Sequence, residues 1–159
     1  MNVTVIAMGR LKESYLTAAC SEYLKRLSAF GKAEVIELNP VKLPDDPSEK
    51  QISAALDAEA EKILEKVPKG AFLCAMCIEG KQQSSEKLAK TLEAAATGGC
   101  SSAAFVIGSS YGLADKVKQA AALRLSMSEM TFPHQLARVM LLEQIYRAFT
   151  ITAGKKYHK

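Results

Sequence analysis

The two histidines of this chain are its best candidates for proton transfer. They are His134 and His158, and an imidazole, with an unperturbed pKa of about 6.5, suits a general base at neutral pH. His134 follows Pro133 at the start of an apolar segment, so it is also consistent with a helix-start residue that satisfies backbone groups. His158 belongs to a basic tail over residues 155–159. Both imidazoles are therefore candidate catalytic bases.

A glycine turn and a second loop indicate a ligand-binding edge. The turn over residues 108–113 contains Gly108 and Gly112 and follows an apolar run that ends at Ile107, while residues 127–132 follow a brief extended segment. A ligand that lies over strand ends needs a close approach of the backbone, which a Cβ would obstruct. A strand-to-helix connection also uses glycine for conformational reasons alone. The combination of both loops favours a binding site.

The net charge of +4 is concentrated at the C-terminal end. From Met1 to Met130, sixteen lysines and arginines balance sixteen aspartates and glutamates, so the excess comes from residues 131–159. A local basic cluster with aromatic and imidazole neighbours suits a polyanion such as RNA, because attraction to phosphate is screened within about 10 Å. Lysine-rich ends are also common as solvated tails. The charge pattern favours an RNA partner without requiring one.

Length and composition predict one domain over residues 1–159. A chain of this size can bury roughly two thirds of its unfolded surface, and 48% apolar with 24% charged residues is ordinary globular composition. The sequence contains no run of about 18 apolar residues that could span a bilayer, and its first residues lack the features of a secretory signal. We therefore expect a cytoplasmic protein without a membrane partner.

The cysteines predict buried, reduced thiols. Cys74 and Cys77 lie three residues apart in an apolar strand-like segment, where side chains at that spacing point to opposite faces and cannot easily converge on one ion. A redox pair would instead prefer a helix start, where the dipole lowers the thiol pKa. We therefore expect no metal site and no disulfide framework among Cys20, Cys74, Cys77 and Cys100.

Strand and helix signals alternate along the chain. Apolar runs bounded by turn residues predict strands at residues 2–8, 33–38, 71–78, 102–107 and 123–126. Helical spacing of apolar residues, with cap and stop signals, predicts helices at residues 14–30, 47–67, from Ser84 or Ser85 to Gly98, 115–122 and 134–151. Repeated β-α units with short connections predict an α/β fold with a mostly parallel sheet and helices on both faces.

The last predicted helix is apolar around most of its circumference. Its apolar side chains include Leu136, Val139, Met140, Leu141, Leu142, Ile145 and Phe149. One sheet cannot cover that much surface, and a helix that is hydrophobic nearly all round is buried on several sides. We therefore expect a homodimer in which a second copy of the chain covers part of this helix.

Several stretches of the C-terminal half carry a family resemblance. They are FVIG at 105–108, YGL at 111–113, LS at 125–126, MTFPH at 130–134, Arg138, and QIYRA at 144–148. With them the chain closely resembles, over essentially its full length, the ribosomal RNA large-subunit methyltransferase H family of the SPOUT superfamily. The resemblance implies a homodimer that binds S-adenosylmethionine in a C-terminal trefoil knot and methylates N3 of a pseudouridine in 23S ribosomal RNA. The implied substrate is the large subunit or the assembled 70S ribosome.

The resemblance also implies which residues hold the cofactor. Met76 stands where the family places an apolar residue against the adenosine, and Gly108 matches the glycine at the cofactor's edge. Taken alone, Met76 and Met130 are also typical of core packing, because methionine fills gaps. The loop that wraps the adenine in the family matches Met127, Ser128, Glu129, Met130, Thr131 and Phe132.

Methylation of N3 requires that a proton leave this nitrogen, which is mostly protonated at neutral pH. His158 and His134 are the candidate bases, and Tyr157 is a candidate to stack on or position the target base. Arg138 has no acidic residue four positions away. We therefore expect Arg138 to contact an RNA phosphate or to stabilise charge on the target base.

The final helix and the tail lead to two further expectations. Glu143 and Arg147 lie four residues apart, so an ion pair on the helix surface is expected. Residues 155–159 combine cations with Tyr157 and His158, so they are expected to close over RNA. In a dimer this tail is expected to reach the partner's cofactor site.

Ser109 departs from the family pattern, which commonly has a second glycine after Gly108. A serine Cβ would crowd the cofactor or the target base if residue 109 needed a positive φ, which leaves open a noncatalytic RNA-binding module with the same fold. Lys159 replaces an arginine of some members and loses the bidentate fork. A Rossmann-type nucleotide enzyme is a third interpretation, but Gly9 opens no Gly-x-Gly-x-x-Gly pattern and the sequence has no P-loop motif.

Overall fold

The computed structural model describes residues 1–158, so Lys159 lies outside the described part of the chain. The strand and helix alternation predicted from the sequence is confirmed there. In chain order the elements are β1 Asn2–Met8, α1 Ser14–Leu27, β2 Ala33–Leu38, α2 Glu49–Lys66, β3 Phe72–Gln82, α3 Ser85–Thr97, β4 Ser102–Ile107, α4 Asp115–Ala120, β5 Leu123–Ser126 and α5 His134–Thr152.

The strands form a parallel sheet in the order β2-β1-β4-β3-β5. At its centre, β1 runs beside β4 from the pair Asn2 and Ser102 to the pair Ala7 and Ile107. Parallel neighbours need a crossover connection, and the helices between the strands supply it. The predicted α/β fold is confirmed, and the trefoil knot that the resemblance implies stays a prediction.

Apolar side chains on both faces of the sheet form two layers of core. Alternate residues of a strand point to opposite faces, so Val5 of β1 packs into one layer and Ile6 into the other. Helices cover both layers, as the sequence predicts. The first layer includes Leu27 of α1, Leu88 of α3 and Leu141 of α5, and the second includes Ile63 of α2 and Val117 of α4.

Two serine caps determine where helices α2 and α3 begin. Ser48 Oγ accepts a hydrogen bond from Gln51 N at 3.3 Å, and Gln51 Oε1 accepts one from Ser48 N at 2.9 Å. This capping box makes Ser48 the N-cap, so α2 starts later than the predicted start at Pro47. Ser84 caps α3 by accepting from Lys87 N at 3.2 Å, which confirms the predicted start of that helix.

Strand β3 continues to Gln82, beyond its predicted end at Ile78. After a register shift, Lys81 pairs with Leu125 of β5. A Cβ on Gly80 would lie 2.7 Å from the Leu125 carbonyl carbon, so glycine lets the two backbones approach. Backbone pairing rather than apolar side chains holds this polar extension, which is why apolar periodicity missed it. The extension leads directly to the start of α3.

Helix α5 buries apolar side chains on one side and leaves an apolar side chain exposed near its N-terminal end. Leu142 and Ile145 are fully buried, whereas Leu136 is 40% exposed. Met130, in the loop before the helix, is 74% exposed.

No helix among residues 1–158 is long and apolar enough to cross a membrane.

The cysteines are free thiols. Cys20 and Cys74 are buried, as predicted, whereas Cys77 and Cys100 are half-buried. Burial raises the pKa of the Cys74 thiol to about 12 and also raises the pKa of Cys20. Thiols with raised pKa values are poor nucleophiles at neutral pH, so these two cysteines belong to the core rather than to a reactive site.

Candidate active site

Three adjacent strands bring predicted cofactor residues side by side, at the carboxyl ends of β4 and β5 and at the register shift within β3. Met76 of β3 is paired in register with Ile107 of β4 and with Leu125 of β5. Gly108 directly follows Ile107, and Met127 follows the last residue of β5. Ligands of open α/β sheets bind beyond the carboxyl ends of the strands. The parallel register therefore places three predicted cofactor residues at the edge where a ligand is expected.

A pocket of about 180 Å³ lies at this edge and contains two of those residues, Met76 and Met127. Its remaining apolar lining comes from α3, β5 and α5. Polar groups of the β3–α3 connection and of α5 complete its rim. The other lining residues are Gln83, Ser84, Leu88, Leu125, Ser126, Met140, Leu141 and Gln144.

Gly108 is buried at the start of the turn that follows β4. A Cβ at this position would lie 2.2 Å from the carbonyl oxygen of Gly112, and Gly112 itself has a φ of 87°. The close approach predicted for Gly108 is therefore present, but the group that approaches is the chain's own backbone. Any larger residue at position 108 would deform the turn before it could reach a ligand.

Ser109 is accommodated, and the concern that it needs a positive φ is wrong. Among the described residues, those with φ between +20° and +160° are all glycines. Ser109 Oγ donates to Glu59 Oε2 at 2.8 Å, and Glu59 Oε1 accepts from Val41 N at 2.9 Å. The Glu59 residue is 3% exposed. This carboxylate ties the β2–α2 loop to the turn after β4, beside a second cavity of about 240 Å³ that Ser109 also lines.

The loop over residues 127–132 is shaped by serine hydroxyls. Ser126 Oγ donates to the Ser128 carbonyl at 3.0 Å, and Met130 N donates to Ser128 Oγ at 3.0 Å. Met127 reaches the pocket, Ser128 and Phe132 are half-buried, and Glu129, Met130 and Thr131 are exposed. The hydroxyl bonds hold the loop beside the pocket mouth, and its wrapping of an adenine stays a prediction.

Arg138 is anchored inside the fold. It is 1% exposed, its Nη1 donates to Glu37 Oε1 at 2.5 Å, and its Nη2 donates to the Gly9 carbonyl at 2.9 Å. Its Nε is buried without a hydrogen-bond partner among residues 1–158. These contacts fasten α5 to the ends of β1 and β2. At 1% exposure Arg138 is closed off from an RNA phosphate, so this geometry favours a structural role.

His134 lies at the same end of α5 as Arg138. Its Nε2 is 3.7 Å from the position that a Cβ would occupy on Gly9. The neighbouring Gln135 Oε1 accepts from Lys12 N at 3.1 Å. The structure therefore places His134 beside the β1–α1 connection, and it does not line the pocket that holds Met76.

Tyr157 packs back onto the C-terminal half of α5. Its hydroxyl donates to Glu143 Oε1 at 3.1 Å, and the Arg147 guanidinium lies 4.8 Å from its ring centroid. Glu143 and Arg147 form the predicted ion pair at 2.5 Å. Burial, together with hydrogen bonds to Tyr23 and Glu143, raises the pKa of Tyr157 to about 12. Tyr157 is therefore a neutral hydrogen-bond donor at physiological pH.

His158 reaches the start of helix α3. Its Nε2 is 2.7 Å from Glu86 Oε1, and its Nδ1 is 3.4 Å from Arg147 Nη1. Glu86 is two residues beyond Ser84, which lines the pocket with Met76. The tail therefore brings His158 to the first turn of α3, the helix whose start borders the pocket, while the described residues that line the pocket do not include His158. Lys159, which also belongs to the predicted tail cluster, lies outside the described residues.

Several residues of the site escaped the sequence argument. Gln144 lines the pocket and its Oε1 accepts from Ser85 Oγ at 2.7 Å, but nothing in its spacing indicated this. Glu86 carried a usable signal, since it follows two serines at a predicted helix start, where an acidic side chain is held in a defined direction. Glu59 lay on a predicted charged helix face and was indistinguishable there from solvated glutamates.

The family of the chain follows from comparisons over its full length. A family model described as "Predicted SPOUT methyltransferase" matches residues 1–158. Relatives from Bacillus pumilus (strain SAFR-032) and Bacillus cytotoxicus, both named Ribosomal RNA large subunit methyltransferase H, are 49% identical over 159 residues. These alignments cover 100% of this chain and 100% of each relative.

Solved structures share the fold at low sequence identity. A probable methylase family protein from Haemophilus influenzae Rd KW20 has a TM-score of 0.52 and 14% identity, over 99% of this chain and 70% of that chain. A structure described as "Structural insights into the 2-OH methylation of C/U34 on tRNA" has a TM-score of 0.52 and 16% identity, over 97% of both chains. The family, enzyme class and cofactor predicted from the sequence are confirmed by the full-length matches. The chain belongs to the SPOUT methyltransferases, enzymes whose methyl donor is S-adenosylmethionine.

Proposed function

We propose that this chain methylates N3 of a pseudouridine in 23S ribosomal RNA, within the large subunit or the assembled 70S ribosome. The 49% identity to full-length relatives named Ribosomal RNA large subunit methyltransferase H supports an RNA substrate of this class. The observation that carries the proposal is the pocket at the strand ends, where Met76 and Met127 meet. The cytoplasm, where ribosomes are found, is the proposed location.

The pocket fits the cofactor in its chemistry. Met76, Met127 and Leu125 offer apolar and polarisable surfaces that suit the faces of an adenosine, and Ser126 and Gln144 offer hydrogen-bonding groups for its polar edges. We propose that these residues hold S-adenosylmethionine. When bound, this cofactor supplies an electrophilic methyl group on a sulfonium. The chain's own contribution is to orient the target base and to accept its proton.

His158 is the proposed base for the N3 proton. It contacts Glu86 in the first turn of α3, the helix whose start borders the pocket, whereas His134 lies beside Gly9 at the other end of α5. Its imidazole takes the proton as the N3–H bond breaks, which leaves the N3 electron pair to accept the methyl group. Tyr157 stays protonated because its pKa is about 12, so we propose that it positions the target base by stacking or by donating a hydrogen bond.

The remaining predicted residues have supporting roles in this proposal. Arg138 holds the start of α5 through Glu37 and the Gly9 carbonyl, so it fixes the loop over residues 127–132 that leads into the helix. The basic residues of the C-terminal end, which carry the net charge of +4, attract RNA phosphates. His134 belongs to the anchored end of α5 rather than to the chemistry.

We also propose that the enzyme is a homodimer. Leu136 is 40% exposed in the first turn of α5, a helix that is apolar on most of its circumference, and Met130 is 74% exposed in the loop before it. A helix that is hydrophobic nearly all round is usually covered on several sides. A second copy of the chain is the proposed partner, as the resemblance implies.

The noncatalytic RNA-binding module is the competing function, and the structure does not support the argument from Ser109 on which it rested. That interpretation required Ser109 to block the cofactor through a strained backbone. Ser109 has no positive φ and is bonded to Glu59. The enzyme is therefore the better supported of the two functions.

The decisive experiment combines cofactor binding with product identification. The purified protein is titrated with S-adenosylmethionine by calorimetry and then incubated with 70S ribosomes, large subunits or free 23S ribosomal RNA and methyl-labelled cofactor. Nucleoside mass spectrometry should detect N3-methylpseudouridine in at least one of these substrates. Binding of the cofactor without methyl transfer to any substrate would support the noncatalytic module, and a methyl group on a different nucleoside would refute the proposed target.

A further inference from the structure

The second cavity, of about 240 Å³, lies beside the turn that follows β4. Its apolar wall, which includes Pro40, Leu43 and Ile52, comes from the β2–α2 loop and from α2, and residues 109–111 of the turn also line it. The cavity is smaller than the roughly 300–1,000 Å³ of sites for drug-sized ligands, so it suits one ring system rather than a whole cofactor. We call it the Glu59 cavity, after its charged lining residue.

Glu59 is held at the wall of this cavity by neutral donors. The residue is 3% exposed, its Oε1 accepts from Val41 N at 2.9 Å, and its Oε2 accepts from Ser109 Oγ at 2.8 Å. Among residues 1–158, no cationic side chain forms an ion pair with it. A carboxylate offers about four lone-pair sites, so acceptor capacity remains for a donor inside the cavity.

The carboxylate and the apolar wall together determine which ligand chemistry fits. Carboxylate oxygens repel a phosphate or a carbonyl oxygen and attract N–H groups. A nucleobase combines apolar faces with polar edges, and the exocyclic amino group of adenine, cytosine or guanine is a donor that uracil lacks. Tyr111, which lines the cavity and is 48% exposed, offers an aromatic ring on which such a base can stack.

The position of the Glu59 cavity connects it with the cofactor edge of the sheet. The turn after β4 begins at Gly108, a predicted cofactor residue, and continues into residues 109–111, which line the cavity. Leu56 of the cavity and Leu88 of the cofactor pocket pack against opposite faces of the sheet. The turn therefore joins two separate cavities. Proteins that read single-stranded RNA splay out bases and bind them in such places.

We infer that the Glu59 cavity binds an unstacked nucleobase of the RNA substrate that carries an exocyclic amino group. Glu59 accepts a hydrogen bond from this amino group, and Tyr111 stacks on the ring. The inference rests on the proposed function for its RNA substrate. Because pseudouridine has no exocyclic amino group, the bound base belongs to a neighbouring nucleotide and not to the methylated one.

The test measures the binding of labelled single-stranded RNA heptanucleotides to the full chain by fluorescence anisotropy. One probe contains only uridine, and three others carry a single adenosine, cytidine or guanosine at the centre. At least one of these three should bind about tenfold more tightly than the uridine probe, which is within the range of one good contact to a base. The methyl signals of Ile52, a lining residue, should shift in ¹H–¹³C spectra when that probe is added.

Glu59→Gln tests the acceptor without removing the local ties. The amide oxygen can still accept from Val41 N, and the Ser109 hydroxyl can accept from the amide nitrogen. The variant should fold, as urea denaturation checks, and it should bind all four probes with similar affinity. Glu61→Gln is the matched control, because Glu61 is an exposed glutamate of the same helix that pairs with Lys116. This control should keep the preference of the unmodified chain.

Tyr111 is tested separately because stacking and amino recognition have different signatures. Tyr111→Ala should weaken the binding of all four probes about tenfold, since stacking on an aromatic ring tolerates every base. Tyr111→Phe keeps the ring and should keep the affinity.

Three results would overturn the inference: equal binding of the four probes by the unmodified chain, a base preference that persists in Glu59→Gln, or a preference without a shift of the Ile52 signals. If Glu59→Gln does not fold, the first and the third still decide. Methyl transfer to 70S ribosomes is measured in parallel. A chain that prefers an amino-bearing base through Glu59 and transfers no methyl group would refute the proposed function and still support the base-binding cavity.

Discussion

Helix α5 has a histidine near each end, and its two ends are held in different ways. At the N-terminal end, next to His134, Arg138 is 1% exposed and pairs with Glu37. At the C-terminal end, Tyr157 and His158 fold back onto α5 and α3 through half-exposed contacts to carboxylates. The first end is held inside the fold, and the second end rests on the surface against α5 and the start of α3.

The difference shows which end can take part in a reaction. Breaking a buried ion pair leaves an uncompensated charge in the interior, so its partners do not exchange during a catalytic cycle. A half-exposed pair is worth little, because water replaces either partner when the other leaves. The tail can therefore exchange its carboxylate contacts for RNA at small cost. Arg138 keeps its place and preserves the geometry of the loop that precedes α5.

Removal of residues 157–159 should have the largest effect on activity. If the tail carries the base, methyl transfer to 70S ribosomes should fall about 10³-fold, which is within the range of general acid–base catalysis. Folding and cofactor affinity should change little, because the tail's contacts are half-exposed. Turnover with ribosomes, calorimetry with S-adenosylmethionine and chemical denaturation check the three quantities. Unchanged turnover would show that the tail is a solvated end without a catalytic role.

Arg138→Ala should have the largest effect on stability. It leaves Glu37 without its buried partner, and the expected loss of unfolding free energy is roughly 3 kcal/mol. Urea denaturation measures this loss. The matched control is Arg26→Ala, which removes an exposed pair with Glu22 and should cost less than about 0.5 kcal/mol. A stable Arg138→Ala protein that has lost RNA binding would instead favour the phosphate contact predicted from the sequence.

Ser109→Ala should have a smaller effect on stability. The buried Glu59 carboxylate loses one of its two donors and keeps the bond from Val41 N, so the expected loss is about 1 kcal/mol. Ser110→Ala is the matched control, since Ser110 is the exposed neighbour. Denaturation midpoints of the two variants provide the comparison. Equal midpoints would show that the tie between Ser109 and Glu59 contributes nothing.

The ionisation of Tyr157 gives the finest test of the tail contacts. Its pKa is raised to about 12, so the neutral phenol stabilises the fold below the unfolded value of about 10, and this stabilisation is lost as the pH rises through about 12. At about pH 11 an exposed tyrosine is mostly ionised. The Tyr157→Phe variant should therefore show the same phenolate absorbance as the unmodified chain at that pH. A drop of one tyrosine's absorbance would mean that the tail is not packed in solution.

The order and type of the elements could be predicted because they depend on local spacing. Strand β1, with apolar residues on both faces, and helix α3, with a serine cap and a glycine stop, both follow their sequence signals. The errors lie at the ends of elements. The polar end of β3 pairs through its backbone, and the capping box moves the start of α2 to follow Ser48. Both depend on hydrogen bonds that apolar periodicity does not report.

The pocket was partly predictable, because a family resemblance identifies positions along the chain. The structure brings Met76 and Met127 together in one pocket, and their contact with the cofactor stays a prediction. Gln144 was missed, since it belongs to a helix face that becomes part of the site only after α3 and α5 pack together. The sequence of a helix face does not indicate which residues will pack against that face.

The sequence by itself determined the alternation of strands and helices, the family, the basic C-terminal end and the residues at the carboxyl ends of the strands. The tertiary structure alone decided the partners of the charged groups. Arg138 meets Glu37 across 101 residues, and His158 meets Glu86 across 72 residues. Periodicity encodes the faces of an element because side-chain directions repeat along it. Pairing between distant charges depends on how those faces pack, so the partners of these charged groups were decided only in the folded chain.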